Sequence, residues 1–184
     1  MKEIILTANG LENKNIGRMF IKLVDKVPDQ IKALFVPTAA IDAGAIEVLP
    51  KCMHDLLDLG IPANNIMVYD LHYKMEYEEI CKFDAIYFCG GNSEYLLKRI
   101  NEIGFNIPLK RFVDNGGMYI GVSAGSIIVA NNIPENLGYL KCKLDVHGEE
   151  GISIGKFEPA QYSNIRLPDY RAIIIQDNNY EVIE

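Results

Sequence analysis

The sequence predicts an α/β protein built on a parallel sheet with helices on both faces, followed by a smaller set of strands. Three observations predict it. Apolar runs of strand length alternate with segments of helical period along the first 130 residues. Those runs are almost continuously apolar, as strands buried on both faces must be. Beyond residue 140 the helical periods stop and strand-like runs follow one another.

"EIILTAN" (residues 3–9) reads as the first strand. "NIGRMFIKLVDKV" follows, with Ile16, Met19, Phe20 and Leu23 at helical spacing. "ALFVPTA" is the second strand. "AGAIEVLPKCMHDLLDLG" is a helix ended by Gly60, with a kink or break expected at Pro50. "NIMVYDL" is the third strand and "YEEICK" a short helix. "AIYFCGG" is the fourth strand, followed by the helices "SEYLLKRINEI" and "IPLKRFVDNGG". "MYIGVS" is the fifth strand, and "AGSIIVANN" starts a helix. In the tail, "KLDVHG", "AIIIQ" and "YEVIE" are strand-like, with "QDNNY" as the turn of a terminal hairpin. They are expected to be partly antiparallel and docked on the main sheet.

The chain of 184 residues is long enough for one domain with a real core, and the whole of 1–184 is read as such. A hydrophobic fraction of 49% and a charged fraction of 23% are globular values. The net charge of −7, with no block of Lys or Arg, argues against a nucleic-acid partner or an anionic membrane surface. No apolar stretch reaches transmembrane length, and the first residues read as a strand and not as a signal peptide. Cys52, Cys81, Cys89 and Cys142 form no C-x-x-C pair, so a zinc site is not expected. Their dispersal suits reduced, buried thiols in a cytoplasmic protein.

Gly121-Val122-Ser123-Ala124-Gly125 matches G-x-S-x-G between a buried strand and a helix. Such a junction needs a sharp turn with small neighbours. It lifts the serine hydroxyl above the carboxyl end of the sheet and turns the first N–H groups of the helix toward it. A plain small-residue turn is the alternative. A serine nucleophile needs a base. His54 lies on a surface helix, His72 follows the third strand, and His147 ends a strand beyond the serine helix. Position favours His147, with His72 as its rival. "YFCGGNSEYLL" also ends a strand and opens a helix, so Gly90 and Gly91 are candidate backbone donors beside Ser123. Asn92 or Ser93 is the candidate helix cap, and Cys89 reads as a buried strand residue.

The stretches "CGGNSEYLL", "GVSAGS", "LDVHGEE" and "IRLPDYRAIII", in that order, resemble the peptidase E (aspartyl dipeptidase) family of serine peptidases, which also includes cyanophycinase. The resemblance runs over most of the chain. It implies a flavodoxin-like, doubly wound sheet similar to that of class I glutamine amidotransferases, with serine where those enzymes have cysteine. It also implies Ser123 as nucleophile, His147 as base and Asp169 of "LPDY" as the acid that orients the base. Gly91 (or Gly90) and Ala124 become the oxyanion donors, and Asn92 belongs to the same substrate-binding turn. Asp145 competes for the acid role, but two side chains on one strand seldom meet head-on.

The implied reaction is hydrolysis of short peptides, dipeptides with N-terminal aspartate among them, through an acyl-enzyme with no metal or other cofactor. A homodimer is a possible assembly. Arg166, Arg171, Lys141 and Lys143 are candidate cations for a substrate carboxylate. Other acyl bonds (ester or isopeptide) and a non-catalytic binding role are the competing readings. The segments around His147 are short for the family. Gly148 stands where an aromatic residue is common and Tyr170 where glycine is common, which puts the substrate in question.

Overall fold

The structure is a computed structural model that describes residues Met1–Glu184. Its main sheet has eight strands in the order β3-β2-β4-β5-β1-β9-β10-β7. The first five strands to form along the chain are β1 (Glu3–Thr7), β2 (Ala33–Val36), β3 (Ile66–Val68), β4 (Ala85–Phe88) and β5 (Met118–Val122). All five are parallel. Three antiparallel neighbours extend the sheet beyond β1. These are β9 (Ala172–Gln176), β10 (Asn179–Ile183) and β7 (Gly155–Phe157).

Alternation along each strand divides the apolar side chains between two cores. Ile4, Leu6, Ile86, Phe88 and Tyr119 face one side. There they meet Leu96, Leu97 and Ile100 of α5 (Ser93–Glu102) and Leu109 and Phe112 of α6 (Asn106–Asp114). Ile5, Phe35, Tyr87 and Ile120 face the other. They pack on Ile16 and Phe20 of α1 (Lys14–Val24) and on Cys52 and Leu56 of α3 (Leu49–Leu57). Each fully buried apolar side chain contributes roughly 1.5–3 kcal/mol. The two-sided burial is the reason these strands are nearly all apolar. It carries the expected α/β class with a mostly parallel central sheet.

Several boundaries differ from the sequence reading. The break expected at Pro50 does divide residues 43–60 into two helices, α2 (Ala43–Glu47) and α3, but it falls at Val48, two residues earlier. Pro50 sits in the first turn of α3, where its missing N–H costs nothing. A single turn over Tyr77–Ile80 forms α4. The helix after Ser123 is much shorter than "AGSIIVANN" suggests: α7 covers only Ala124–Ile127. Val129 and Ala130 donate to carbonyls three residues back, which tightens and ends the turn, and Ala130 then bridges to Leu140.

The tail also differs. β7 was not foreseen, and β6 (Lys143–Val146) does not join the main sheet. It pairs in parallel with β8 (Asn164–Leu167), also unforeseen, to make a separate two-stranded sheet. Of the cysteines, Cys52, Cys89 and Cys142 are buried as expected, while Cys81 is exposed. No helix is long and apolar enough to cross a membrane.

Gly125 lets α7 lie directly against β4. A Cβ there would lie 2.7 Å from both the Cβ and the carbonyl oxygen of Phe88. Gly125→Ala is therefore expected to destabilise the fold by about 1–3 kcal/mol, since β4 cannot retreat from its partners. Urea unfolding of the variant against wild type measures this.

Candidate active site

In the sheet register Phe88 lies opposite Gly121, and Thr7 opposite Val122. The carboxyl ends of β1, β4 and β5 therefore emerge at one edge. This brings Ala8 and Asn9, Gly90 and Gly91, and Val122 and Ser123 around one cavity of about 280 Å³. Val48, the cap that precedes α3, and Lys51, Cys52 and Asp55 in its first two turns add to the wall, and His147 completes the lining.

Ser123 has φ 47° and ψ −102°, a conformation that side chains rarely adopt. Buried hydrogen bonds hold it there. Its N–H donates to the Thr7 carbonyl at 2.9 Å, and its carbonyl accepts from the N–H groups of Ser126 and Ile127. The Ser126 hydroxyl lies 2.8 Å from the Thr7 carbonyl and 2.7 Å from the Gly121 carbonyl, and it accepts from the Thr7 N–H at 3.0 Å. The Thr7 hydroxyl donates to the Gly121 carbonyl at 3.2 Å and accepts from the Gly10 N–H. Thr7 and Ser126 are fully buried. A Cβ on Gly121 would lie 2.6 Å from the backbone of Gly125, so both glycines of the motif serve close approach.

Two short strands deliver the other polar groups. Val146 ends β6 opposite Leu167 at the end of β8, so His147 and the Pro168-Asp169 turn leave side by side. His147 takes φ 63° and bends back toward Ser123. Its Nδ1 lies 2.7 Å from Asp169 Oδ1, and its Nε2 lies 3.1 Å from Ser123 Oγ. The side chains of His147 and Asp169 are about half exposed, at 51% and 53%. Asn132 holds β6 in place. Its side chain donates to the Leu144 carbonyl at 2.9 Å and accepts the Leu144 N–H at 2.8 Å.

The rival assignments go elsewhere. His72 contacts Asp70 and stacks edge-on with Tyr73, and His54 faces Asp58. Asp145 accepts from the Asn164 side chain at 2.6 Å and makes no bond to His147.

The N–H groups of Gly90, Gly91 and Ala124 have no hydrogen-bond acceptor in the protein, and Gly90 and Gly91 line the cavity with Ser123. Gly91 has φ 132°, and a Cβ there would fall 2.1 Å from the Ala39 carbonyl oxygen. Asn92 is a helix cap: its side chain accepts the Tyr95 N–H at 2.8 Å, and it lies outside the cavity lining.

None of the four cations expected to meet a substrate carboxylate lines the cavity. Arg171 is bound to Glu184 and the Ile152 carbonyl, and Lys141 to the Gly138 carbonyl. Lys143 and Arg166 lie exposed on β6 and β8. The cation that does line it is Lys51. Beside it, Cys52 is held below the ordinary thiol range, chiefly by a hydrogen bond with the Cys89 thiol. No sequence motif singled out α3. The signal available was Lys51 and Asp55 one helical turn apart beside a buried cysteine, an ordinary pattern for a packed helix.

Residues 4–140 match the family model of peptidase family S51. The chain belongs to peptidase family S51. That match includes Gly90, Gly91 and Ser123 and ends before His147 and Asp169. Among curated proteins, 101 residues are 33% identical to peptidase E of Salmonella arizonae, covering 55% of this chain and 42% of that protein. A stretch of 56 residues is 38% identical to an uncharacterized peptidase of Pasteurella multocida, covering 30% of this chain and 27% of that one. The matched stretches thus span less than half the length of these relatives.

Similar folds occur in two crystal structures. One is of a candidate peptidase E from Listeria monocytogenes EGD-e, with TM-score 0.75 and 19% identity, covering 100% of this chain and 98% of that one. The other is of a peptidase from an acI-B1 Actinobacterium, with TM-score 0.67 and 16% identity, covering 100% of this chain and 87% of that one. At these identities the likeness is one of fold.

Removing the Ser126 hydroxyl strands the buried Thr7 N–H. Ser126→Ala is expected to cost about 1–3 kcal/mol, several times the effect of a surface Ser→Ala change. Thermal unfolding of the two variants side by side measures the difference.

Proposed function

We propose that this S51 family member is a serine peptidase that cleaves short peptides, dipeptides with N-terminal aspartate in particular, through a Ser123-His147-Asp169 triad. The observation that carries this reading is the continuous contact Asp169 Oδ1 to His147 Nδ1 at 2.7 Å and His147 Nε2 to Ser123 Oγ at 3.1 Å. Both distances fall within the reach of proton transfer, and the chain ends at a strained serine on the cavity wall.

In this reading the His147 Nδ1–H donates to Asp169, which leaves Nε2 free to accept the Ser123 proton. Ser123 Oγ attacks the substrate carbonyl, and the N–H groups of Gly91 and Ala124 receive the oxyanion. The tetrahedral adduct expels the amine, which takes the proton from His147 Nε2. Water then gives a proton to His147 and attacks the acyl-serine; the second tetrahedral adduct breaks its bond to Ser123 Oγ, which takes the proton back from His147 Nε2, and the acid product leaves. The cavity, at about 280 Å³, sits just below the usual ligand-pocket range of ~300–1,000 Å³, which suits a short substrate. Lys51 supplies the positive charge that an aspartyl side chain requires. Its amine lies 2.9 Å from Glu12 and 3.2 Å from Asn9, contacts that a substrate carboxylate can replace at an exposed site.

A second reading, hydrolysis of an ester or isopeptide, draws support from the openness of His147 and Asp169, which leaves space for a varied leaving group.

Amine release from Asp-Xaa dipeptides, β-aspartyl peptides, non-aspartyl dipeptides and simple esters separates these readings. Turnover confined to Asp-Xaa substrates is expected, and Ser123→Ala should reduce kcat by at least about 10³-fold while the fold is kept. Asp169→Asn should lower kcat by about 10²–10⁴-fold with a smaller change in KM, because it leaves the histidine in the wrong tautomer. Turnover of esters alone favours the second reading. Turnover that survives Ser123→Ala rejects the triad.

A further inference from the structure

The acid of the triad is held less directly than the serine. Asp169 has a side chain that is 53% exposed, and His147 is the one hydrogen-bond partner of its carboxylate. Neither burial nor a second donor orients it, so its aim depends on the backbone beneath it.

That backbone is a β-turn. The Arg171 N–H donates to the Pro168 carbonyl at 3.2 Å, which closes the turn with Asp169 and Tyr170 at its centre. Pro168 is buried at its start, and just past its end Ala172 opens β9 opposite Thr7 of β1. The two central residues are exposed.

One side chain reaches those central residues from outside. Asn13 Nδ2 donates to the Tyr170 carbonyl at 3.0 Å. Its Oδ1 accepts the Asn15 N–H at 2.9 Å and caps α1. A carbonyl only accepts and a backbone N–H only donates, so a single orientation of the Asn13 amide satisfies both. Ser, Thr and Asp are also good caps, but none carries an N–H₂ beside its acceptor. The neighbouring contacts close a ring around this bond. Asn15 Nδ2 donates to the Glu184 carbonyl at 3.0 Å, the Glu184 carboxylate holds Arg171 Nε at 3.1 Å, and Arg171 Nη1 donates to the Ile152 carbonyl at 2.9 Å. α1 is itself fixed to the sheet by Ile16 and Phe20, both fully buried.

We propose that Asn13 is a positioning residue of the triad: its bond to the Tyr170 carbonyl sets the turn that aims Asp169 at His147 Nδ1. The inference rests on the serine-peptidase reading and adds a residue that no motif around Ser123 identifies. Loss of the bond frees the Tyr170 peptide to rotate, and Asp169 with it. α1 stays capped by any substitute that keeps an acceptor.

The test places Asn13→Ser in wild type and in Asp169→Asn. Serine keeps the cap acceptor but is too short to reach Tyr170. The readout is the rate at which a fluorophosphonate labels Ser123. Asn13→Ser is expected to slow labelling about 5- to 10-fold, the worth of one hydrogen bond, with a thermal midpoint within about 2 °C of wild type. In the Asp169→Asn background the same change should slow labelling less than about twofold, because the group it aims is gone. Asn13→Asp keeps the side-chain length and the cap acceptor but lacks the N–H. It should slow labelling at least as much, and it serves if the serine variant folds poorly. A residue that merely supports the fold would slow both backgrounds alike, and that result overturns the proposal. Slow labelling of Asp169→Asn with Asn13→Ser at the wild-type rate overturns the positioning role alone. Asp169→Asn labelled as fast as wild type overturns the triad, and the positioning role with it.

Discussion

A serine held at φ 47° is the constraint around which this molecule is arranged. An isolated chain would relax from that geometry, at a gain of order 1–3 kcal/mol. Here it is held because the alternatives are blocked on every side. β1 and β5 lock the Thr7 and Ser123 backbones together. The Ser126 hydroxyl bridges Thr7 and Gly121 beneath the turn, and Gly125 lets α7 sit directly against β4. The first residue of α7 is consequently turned with its N–H unpaired beside the hydroxyl. The strain and the open donor are two results of one backbone turn.

The small β6-β8 sheet solves a different problem. His147 and Asp169 are 22 residues apart and half exposed, so burial cannot fix their relation. Parallel pairing does it instead, because the two strands end level and release both side chains on one side. The Asn132 side chain ties this sheet to the segment that follows α7. The serine and the histidine therefore hang from the same stretch of chain. Main-sheet register thus sets the height of Ser123, and small-sheet register sets the reach of His147.

Much of this was legible from residue pattern. Strands β1, β2, β4 and β5 stand out because they are buried on both faces, and G-x-S-x-G stands out because a close-packed elbow admits few residue types. The same logic explains what was not legible. β7 and β8 are short, with polar residues at alternate positions, and look like loop until their partners are known. The full helix expected after Ser123 is cut short by 3₁₀-type bonds that depend on where Leu140 returns, a tertiary fact. Lys51 and Asp55 were missed because a charged pair at i, i+4 is ordinary on a helix. Only the break at Val48 and the packing of Cys52 against Cys89 turn that face of α3 toward the elbow. The cations beside the histidine in sequence proved to be engaged or exposed elsewhere, which shows how little sequence proximity says about a cavity assembled from three strand ends.

In the proposed mechanism the strained turn and its histidine make Ser123 a nucleophile. The most direct measurement is covalent labelling with a fluorophosphonate, read by mass spectrometry of the digested protein, in wild type and in His147→Gln. One adduct is expected, on the peptide that carries Ser123, formed much more slowly in the variant. An unlabelled Ser123 in folded wild-type protein, or equal labelling with and without the imidazole, would contradict it.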